Sequence, residues 1–358
     1  MDTAGLTLLV TIGGILTTFA TILTTLHACG KDIWKCFRTM CGKDDIEETS
    51  PMDIEMKPPK INPPQSSSNL RKVSRNSLVR SQREEIFYKV ERDLMTLLRN
   101  CLELDTKNYV SILSGHVDHY HSNKSEDAAL GWGCGCGLRN IQMLSSHLLS
   151  QRHEAREVLY GGSGFVPDIA SLQRWIELAR KKGFGRPTHH DSDRRFDDNG
   201  SWIGARDCAA LLRYFGLRAN VVDFESTSSS HVLTEWVWNY FSDHKKVDDR
   251  RVIVSEKGPL YFHTDGHSRT IVGIQATRES NGMQQLHNLL IFEPAINTKS
   301  LEESLQKNVG WQQKIKRGSH TLKEPPYQLC YVDPGIARGK DLKNLKTIKS
   351  IRPEFSSV

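Results

Sequence analysis

No Cys-x-x-Cys pair occurs anywhere in the 358 residues. The eight cysteines, at positions 29, 36, 41, 101, 134, 136, 208 and 330, are too sparse to form a disulfide framework. Neither a disulfide scaffold nor a thiolate-bound structural metal therefore accounts for the fold. Reduced thiols in a cytosolic setting are expected, with no metal and no cofactor. His189-His190 with Asp191 and Asp193 lacks a second ligand cluster and reads as an ordinary polar loop. The net charge of +6 is spread along the chain, with an excess between Lys57 and Arg83 that reads as a solvated linker, so nucleic acid is not an expected partner.

Charge is missing altogether from Leu6 to Leu26, and as a helix this run would reach roughly 30 Å, enough to span a bilayer. Its threonines can return their hydroxyl bonds to helix carbonyls. A cleaved signal peptide would want a basic start and a shorter apolar core, whereas only Asp2 precedes this run, so a membrane anchor is the expectation. Lys31, Lys35, Arg38 and Lys43 follow it, which by the positive-inside rule puts the rest of the chain in the cytosol. Cys29, Cys36 and Cys41 lie where juxtamembrane thiols can be acylated, although bland free thiols fit equally.

Apolar residues are scarce from Asp44 to about Arg83, where prolines and the Ser66-Ser67-Ser68 run indicate a flexible tether. The expected organisation is an anchor candidate over 1–30, a juxtamembrane segment and linker over 31–83, a folded domain over 84–335 and a basic tail over 336–358.

Order returns at Glu84. Ile86, Phe87, Val90, Leu94, Leu97, Leu98 and Cys101 recur at helical spacing, predicting a helix over 84–103 with this stripe in the core. Further helices are predicted over 171–182, 205–214 and 232–241. Strands are predicted over 217–224, 251–254, 259–262, 269–275, 287–293 and 327–332. Helices first and adjacent strands later argue an α+β fold with a mainly antiparallel sheet.

The chemistry centres on Gly131-Trp132-Gly133-Cys134-Gly135-Cys136-Gly137-Leu138-Arg139-Asn140, a glycine-spaced turn that runs into an apolar-periodic helix. A thiol at a helix N-terminus meets free N–H groups and the positive end of the dipole, which favour the thiolate. Packing of small side chains is the bland alternative, so a partner histidine must decide. His267 follows a Gly-tipped turn and starts a β-branched run about 130 residues downstream, within the separation described for papain-type chains.

These two stretches resemble the zinc-finger-containing ubiquitin peptidases, relatives of the proteases for the ubiquitin-fold modifier. Ser201-Trp202-Ile203-Gly204-Ala205, Ala219 to Phe224 and Leu289-Leu290-Ile291-Phe292-Glu293-Pro294 extend the resemblance over roughly residues 84 to 335. It implies a papain-like cysteine protease fold, with the nucleophile on a helix and the base on the facing sheet. It implies as well that Glu293 orients His267, although relatives are expected to carry Asp-Pro where this chain has Glu293-Pro294. His121, in Asp118-His119-Tyr120-His121, stands where the family places a glutamine and is the side-chain candidate for the oxyanion, with an ordinary loop histidine as the alternative.

Two residues are extra in the cysteine turn relative to the family pattern, so either Cys134 or Cys136 attacks. Insertion after the nucleophile would rotate the helix start by about 200°, whereas insertion before it only lengthens a glycine loop. Cys136 is therefore favoured, with Cys134 a loop bystander or a redox partner. The expected activity is removal of ubiquitin, including lysine-sixty-three-linked chains, or of a ubiquitin-like modifier. The alternatives are a ubiquitin-fold-modifier protease, which usually reads Asp-Pro-His where this chain has Glu293-Pro294-Ala295, and a catalytically impaired, ubiquitin-binding membrane adaptor. The family's zinc fingers have no counterpart here.

Overall fold

The computed structural model describes residues 74–105, 109–122, 135–185, 203–225, 229–242, 250–264, 267–277, 287–322 and 325–353. The anchor candidate, the linker before Ser74, Cys134 and the His189-His190 loop lie outside the described residues. Among the described residues no helix is long and apolar enough to cross a membrane.

In chain order the helices are α1 (Arg75–Ser81), α2 (Leu94–Glu103), α3 (Cys136–Gln151), α4 (His153–Val158), α5 (Ile169–Lys181), α6 (Ala205–Tyr214), α7 (Ser229–Ser242), α8 (Thr298–Gln306), α9 (Trp311–Ile315) and α10 (Gly339–Asn344). The strands are β1 (Tyr109–Leu113), β2 (Leu217–Phe224), β3 (Val252–Val254), β4 (Leu260–Thr264), β5 (His267–Thr277), β6 (His287–Phe292), β7 (Lys316–Gly318) and β8 (Tyr327–Ile336). They form one sheet in the order β2-β8-β4-β5-β1-β3, with β6 pairing β5 and β7. Every pairing is antiparallel except β1 with β3. This is the α+β class with the mainly antiparallel sheet that the order of elements implied.

The sheet buries both faces, so its central strands read as nearly continuous apolar runs rather than alternating ones. On β5, Val272 belongs to the larger core under α3, α5 and α6, whereas Ile271 and Ile274 belong to a second core under α7. A bulge between Ile271 and Gly273 shifts the alternation along this strand. Gly273 has no room for a side chain there, since a Cβ would meet the Ile112 carbonyl and Leu113.

Helix α3 is the central helix, buried continuously from Cys136 to Leu149, and a helix buried all round must satisfy its polar side chains internally. Gln142 donates to Glu85 and to the Pro167 carbonyl, and Ser145 donates to the Ile141 carbonyl. Arg139 pairs with Glu85 at 3.1 Å. Together they staple the segment ahead of α2 onto the start of α3.

That segment corrects the sequence reading. The helix predicted over 84–103 begins only at Leu94, where Asp93 caps it by accepting from Thr96 N–H at 2.9 Å. Glu84 forms an isolated bridge to Pro167, and Ile86, predicted to be core, is 95% exposed. The cap at Asp93 and the Glu302 carboxylate, which accepts from Glu91 N–H and Tyr88, outweigh the helical spacing of the apolar residues.

At the other end the chain stays packed past Ile336. Arg213 donates to the Leu345 and Thr347 carbonyls, Ile351 bridges Val222 in parallel, and Ile348 is fully buried.

Candidate active site

Cys136 is the first residue of α3, preceded by Gly135, which makes no side-chain cap. The first N–H groups of a helix have no partner within it, so this helix start offers donors beside the thiol. The glycine that follows is required by a close approach. A Cβ on Gly137 would sit 2.6 Å from the Ile203 carbonyl and 3.1 Å from the Tyr261 hydroxyl. The lead into α6 and strand β4 are thus packed directly on the helix turn that carries Cys136.

Two side chains tie that turn to β5. Asn140, fully buried, donates to the Cys136 carbonyl and accepts from Thr270, both at 2.7 Å. The amide is thereby fixed in orientation, since its nitrogen faces an acceptor and its oxygen a donor. Two residues before Thr270 on the same strand face, Ser268 lies 2.9 Å from the Tyr261 hydroxyl and 2.9 Å from His263 Nδ1. Tyr261 lies 2.8 Å from the Ile203 carbonyl, which can only accept. Burial pushes the Tyr261 hydroxyl well above its usual range, so it stays neutral.

His263 belongs to this cluster. It is buried, and its Nε2 would lie 3.8 Å from a Cβ on Gly204, the N-cap of α6. His267, the candidate base, opens β5 opposite Thr264 and is exposed. Strand alternation sets it one residue out of step with Ser268 and Thr270, in phase with Arg269.

Glu293 follows β6, and its carboxylate is held by the Arg269 guanidinium in a close, half-buried ion pair. The expected acid is therefore adjacent to the expected base's strand, but the contact it makes is to Arg269. The described contacts group Cys136, Asn140, Thr270, Ser268 and His263 together, and Arg269 and Glu293 together.

His121 sits beyond the end of β6. The neighbouring chain is pinned there by Ser122 N–H donating to the Pro294 carbonyl at 2.8 Å. Burial lowers His119 to about 3, so its ring is neutral, and its Nε2 must carry the proton because it faces the Glu293 carbonyl at 3.2 Å. His119 Nδ1 then accepts from the Thr298 hydroxyl at 2.8 Å. The same hydroxyl lies 2.9 Å from His121 Nδ1, and the Thr298 N–H donates to that nitrogen at 3.5 Å. His121 Nε2, 3.4 Å from the Asn297 amide nitrogen, is the atom left to reach outward.

Upstream, His116 anchors this loop. It lies 2.7 Å from Asp93 and 3.2 Å from Asp118, and hydrogen bonds to Asp118 and then Asp93 raise it to about 10. This clamp, the Asn140–Thr270 link and the His263 cluster carry no sequence signal of their own. The one available clue was the alternation of Ser268 and Thr270 ahead of the apolar run that starts at Ile271.

A family model identifies the chain: that of peptidase family C78 matches residues 106–330. The chain belongs to peptidase family C78. The C78 region runs from just before β1 into β8 and contains the cysteine turn, both hairpin histidines and Glu293. The chain is 32% identical over 231 residues to Zinc finger-containing ubiquitin peptidase 1 of Macaca fascicularis and 30% identical to that of Homo sapiens. Each alignment covers 63% of this chain and 38% of the relative, so the chain spans well under half of those proteins. It is 25% identical to Ubiquitin carboxyl-terminal hydrolase mug105 of Schizosaccharomyces pombe, over 63% of this chain and 84% of that protein. A solved structure of UfSP from C. elegans aligns with a TM-score of 0.40 at 14% identity, covering 65% of this chain and 35% of that one.

Proposed function

We propose that this C78 chain is a thiol peptidase that releases ubiquitin or a ubiquitin-like modifier from conjugates, with Cys136 as nucleophile. The observation that carries the proposal is the N-terminus of α3, where Cys136 begins a buried helix tied to β5 through Asn140 and Thr270. Attack of the thiolate on the carbonyl of the modifier's last residue gives a tetrahedral oxyanion beside the N–H groups of that helix start. A histidine delivers a proton to the departing lysine amine, and water then hydrolyses the thioester with the same histidine as base.

His267 is our candidate for that histidine and Glu293 for its orienting acid. His121 Nε2 is the candidate side-chain contact to the oxyanion, which requires it to carry a proton. The relatives' names support ubiquitin as the modifier, and lysine-sixty-three-linked chains are part of the proposal. The uncharged run Leu6–Leu26 supports attachment to a membrane with the peptidase on the cytosolic side.

The Arg269–Glu293 pair favours a second reading, a modifier-binding membrane adaptor with impaired catalysis, because Arg269 competes with the imidazole for the Glu293 carboxylate. A ubiquitin probe with a C-terminal electrophile separates the two. The enzyme forms a covalent adduct through Cys136, and the adaptor binds the probe without forming one.

A further inference from the structure

The last described stretch, residues 336–353, contains six basic residues and one acidic residue, Asp341. Asp341 is paired with Arg218. Two other acids of this region are likewise taken by arginine, Asp207 by Arg180 and Asp223 by Arg206. Lys340, Lys343, Lys346 and Lys349 are all exposed. The segment that carries them is not a loose tail. It is fastened through the Lys346 carbonyl to Gly185 N–H, through the Leu345 and Thr347 carbonyls to Arg213 and through Ile351 to Val221 and Asp223. These lysines are therefore displayed from a fixed strap.

The start of α1 packs beside this strap. Arg75, at the start of α1, stands 5.9 Å from the Tyr214 ring centroid and 5.8 Å from that of Phe215. Tyr214 packs edge-on against Phe184 at 5.6 Å, and the Lys346 ammonium lies 5.8 Å from the Phe184 ring. Exposed Lys182, next to Phe184 at the end of α5, adds to the same positive surface.

We infer that this basic strap docks the folded domain on an anionic lipid surface. The partner follows from charge complementarity, since this strap sets six basic residues against one acid that is itself paired with Arg218. A headgroup layer asks only for a positive surface, without base-reading or stacking side chains. Each basic residue near such a surface strengthens attachment about fivefold at low salt. The inference rests in part on the proposed membrane attachment, and the test separates the two.

Binding of the full chain is measured to phosphatidylcholine vesicles with and without phosphatidylserine, for the natural sequence and for the triple variant Lys343→Glu, Lys346→Glu, Lys349→Glu. The expected result is an affinity gain of roughly tenfold or more from phosphatidylserine, suppressed by salt, which the triple variant loses while its melting temperature is unchanged. A phosphatidylserine gain that survives in the triple variant overturns the inference. So does a variant that loses binding to RNA instead of to vesicles. If the Leu6–Leu26 attachment fails, binding to neutral vesicles disappears while the phosphatidylserine gain remains, so the two ideas fall separately.

Discussion

Asn140 and Thr270 join the start of α3 to β5. The Thr270 hydroxyl on β5 donates to Asn140 Oδ1 at 2.7 Å, and the same amide holds the Cys136 carbonyl at the start of α3. The helix start cannot rotate against the strand without breaking one of these bonds, and Asn140 is fully buried, so water cannot replace them.

Thr270→Val keeps the shape and removes the donor. It should cost about 1–3 kcal/mol of stability in denaturant unfolding, the usual penalty for stranding a buried acceptor. It should also slow probe labelling at Cys136. Unchanged stability together with an unchanged labelling rate would mean that the link is dispensable.

Gly137→Ala would place a methyl 2.6 Å from the Ile203 carbonyl, against backbone that has little room to move. Overpacking of this kind costs about 1–3 kcal/mol, and here it pushes the lead into α6 away from the turn that carries Cys136. The expected outcome is a lower melting temperature and loss of labelling. A variant as stable and as reactive as the natural chain would contradict the packing described.

The His116 clamp makes stability depend on pH in a stated direction. His116 is raised to about 10, so its contribution is full below the ordinary histidine range and is lost as pH rises through about 10. Asp93 is lowered, its hydrogen bonds to His116 and Thr96 outweighing desolvation, so its share is present above the ordinary aspartate range and is lost on acidification. The melting-temperature difference between the natural chain and His116→Gln should therefore be largest at mildly acidic pH and vanish near pH 10. A difference that grows with pH would show the clamp working otherwise.

Two histidines compete for the proton-transfer role. The proposal expects His267→Ala to abolish turnover with an unchanged melting transition, because the exposed ring adds little to packing. His263→Ala should lower stability, because His263 is buried against Ser268. If His267→Ala turns over normally and His263→Gln does not, the base belongs to the buried cluster.

Much of the fold was legible because its signals are local. Leu172, Trp175, Ile176 and Ala179 recur at helical spacing and are buried in α5, and Gly216 ends α6 with a positive φ of 89°. The sheet was legible from its β-branched runs, although β1, Tyr109–Leu113, was missed because it is only five residues long. The error over 84–93 has a different origin. Ile86 and Phe87 fit a helical stripe, but the bonds that fix this segment come from Glu302, Val166 and Gln142, which are remote in sequence. The same limit hid the grouping of the site. Cys136, His267 and Glu293 each sit in a recognisable motif, whereas the pairing of Glu293 with Arg269 depends on the register of β5 against β6, which only the fold reveals.

The most direct test of the central claim is mass spectrometry of the full chain after reaction with a ubiquitin probe bearing a C-terminal electrophile. The account predicts one adduct, mapped to Cys136, formed by Cys134→Ala and absent from Cys136→Ala. An adduct that persists in Cys136→Ala and disappears in Cys134→Ala, or no adduct on the natural chain, would contradict it.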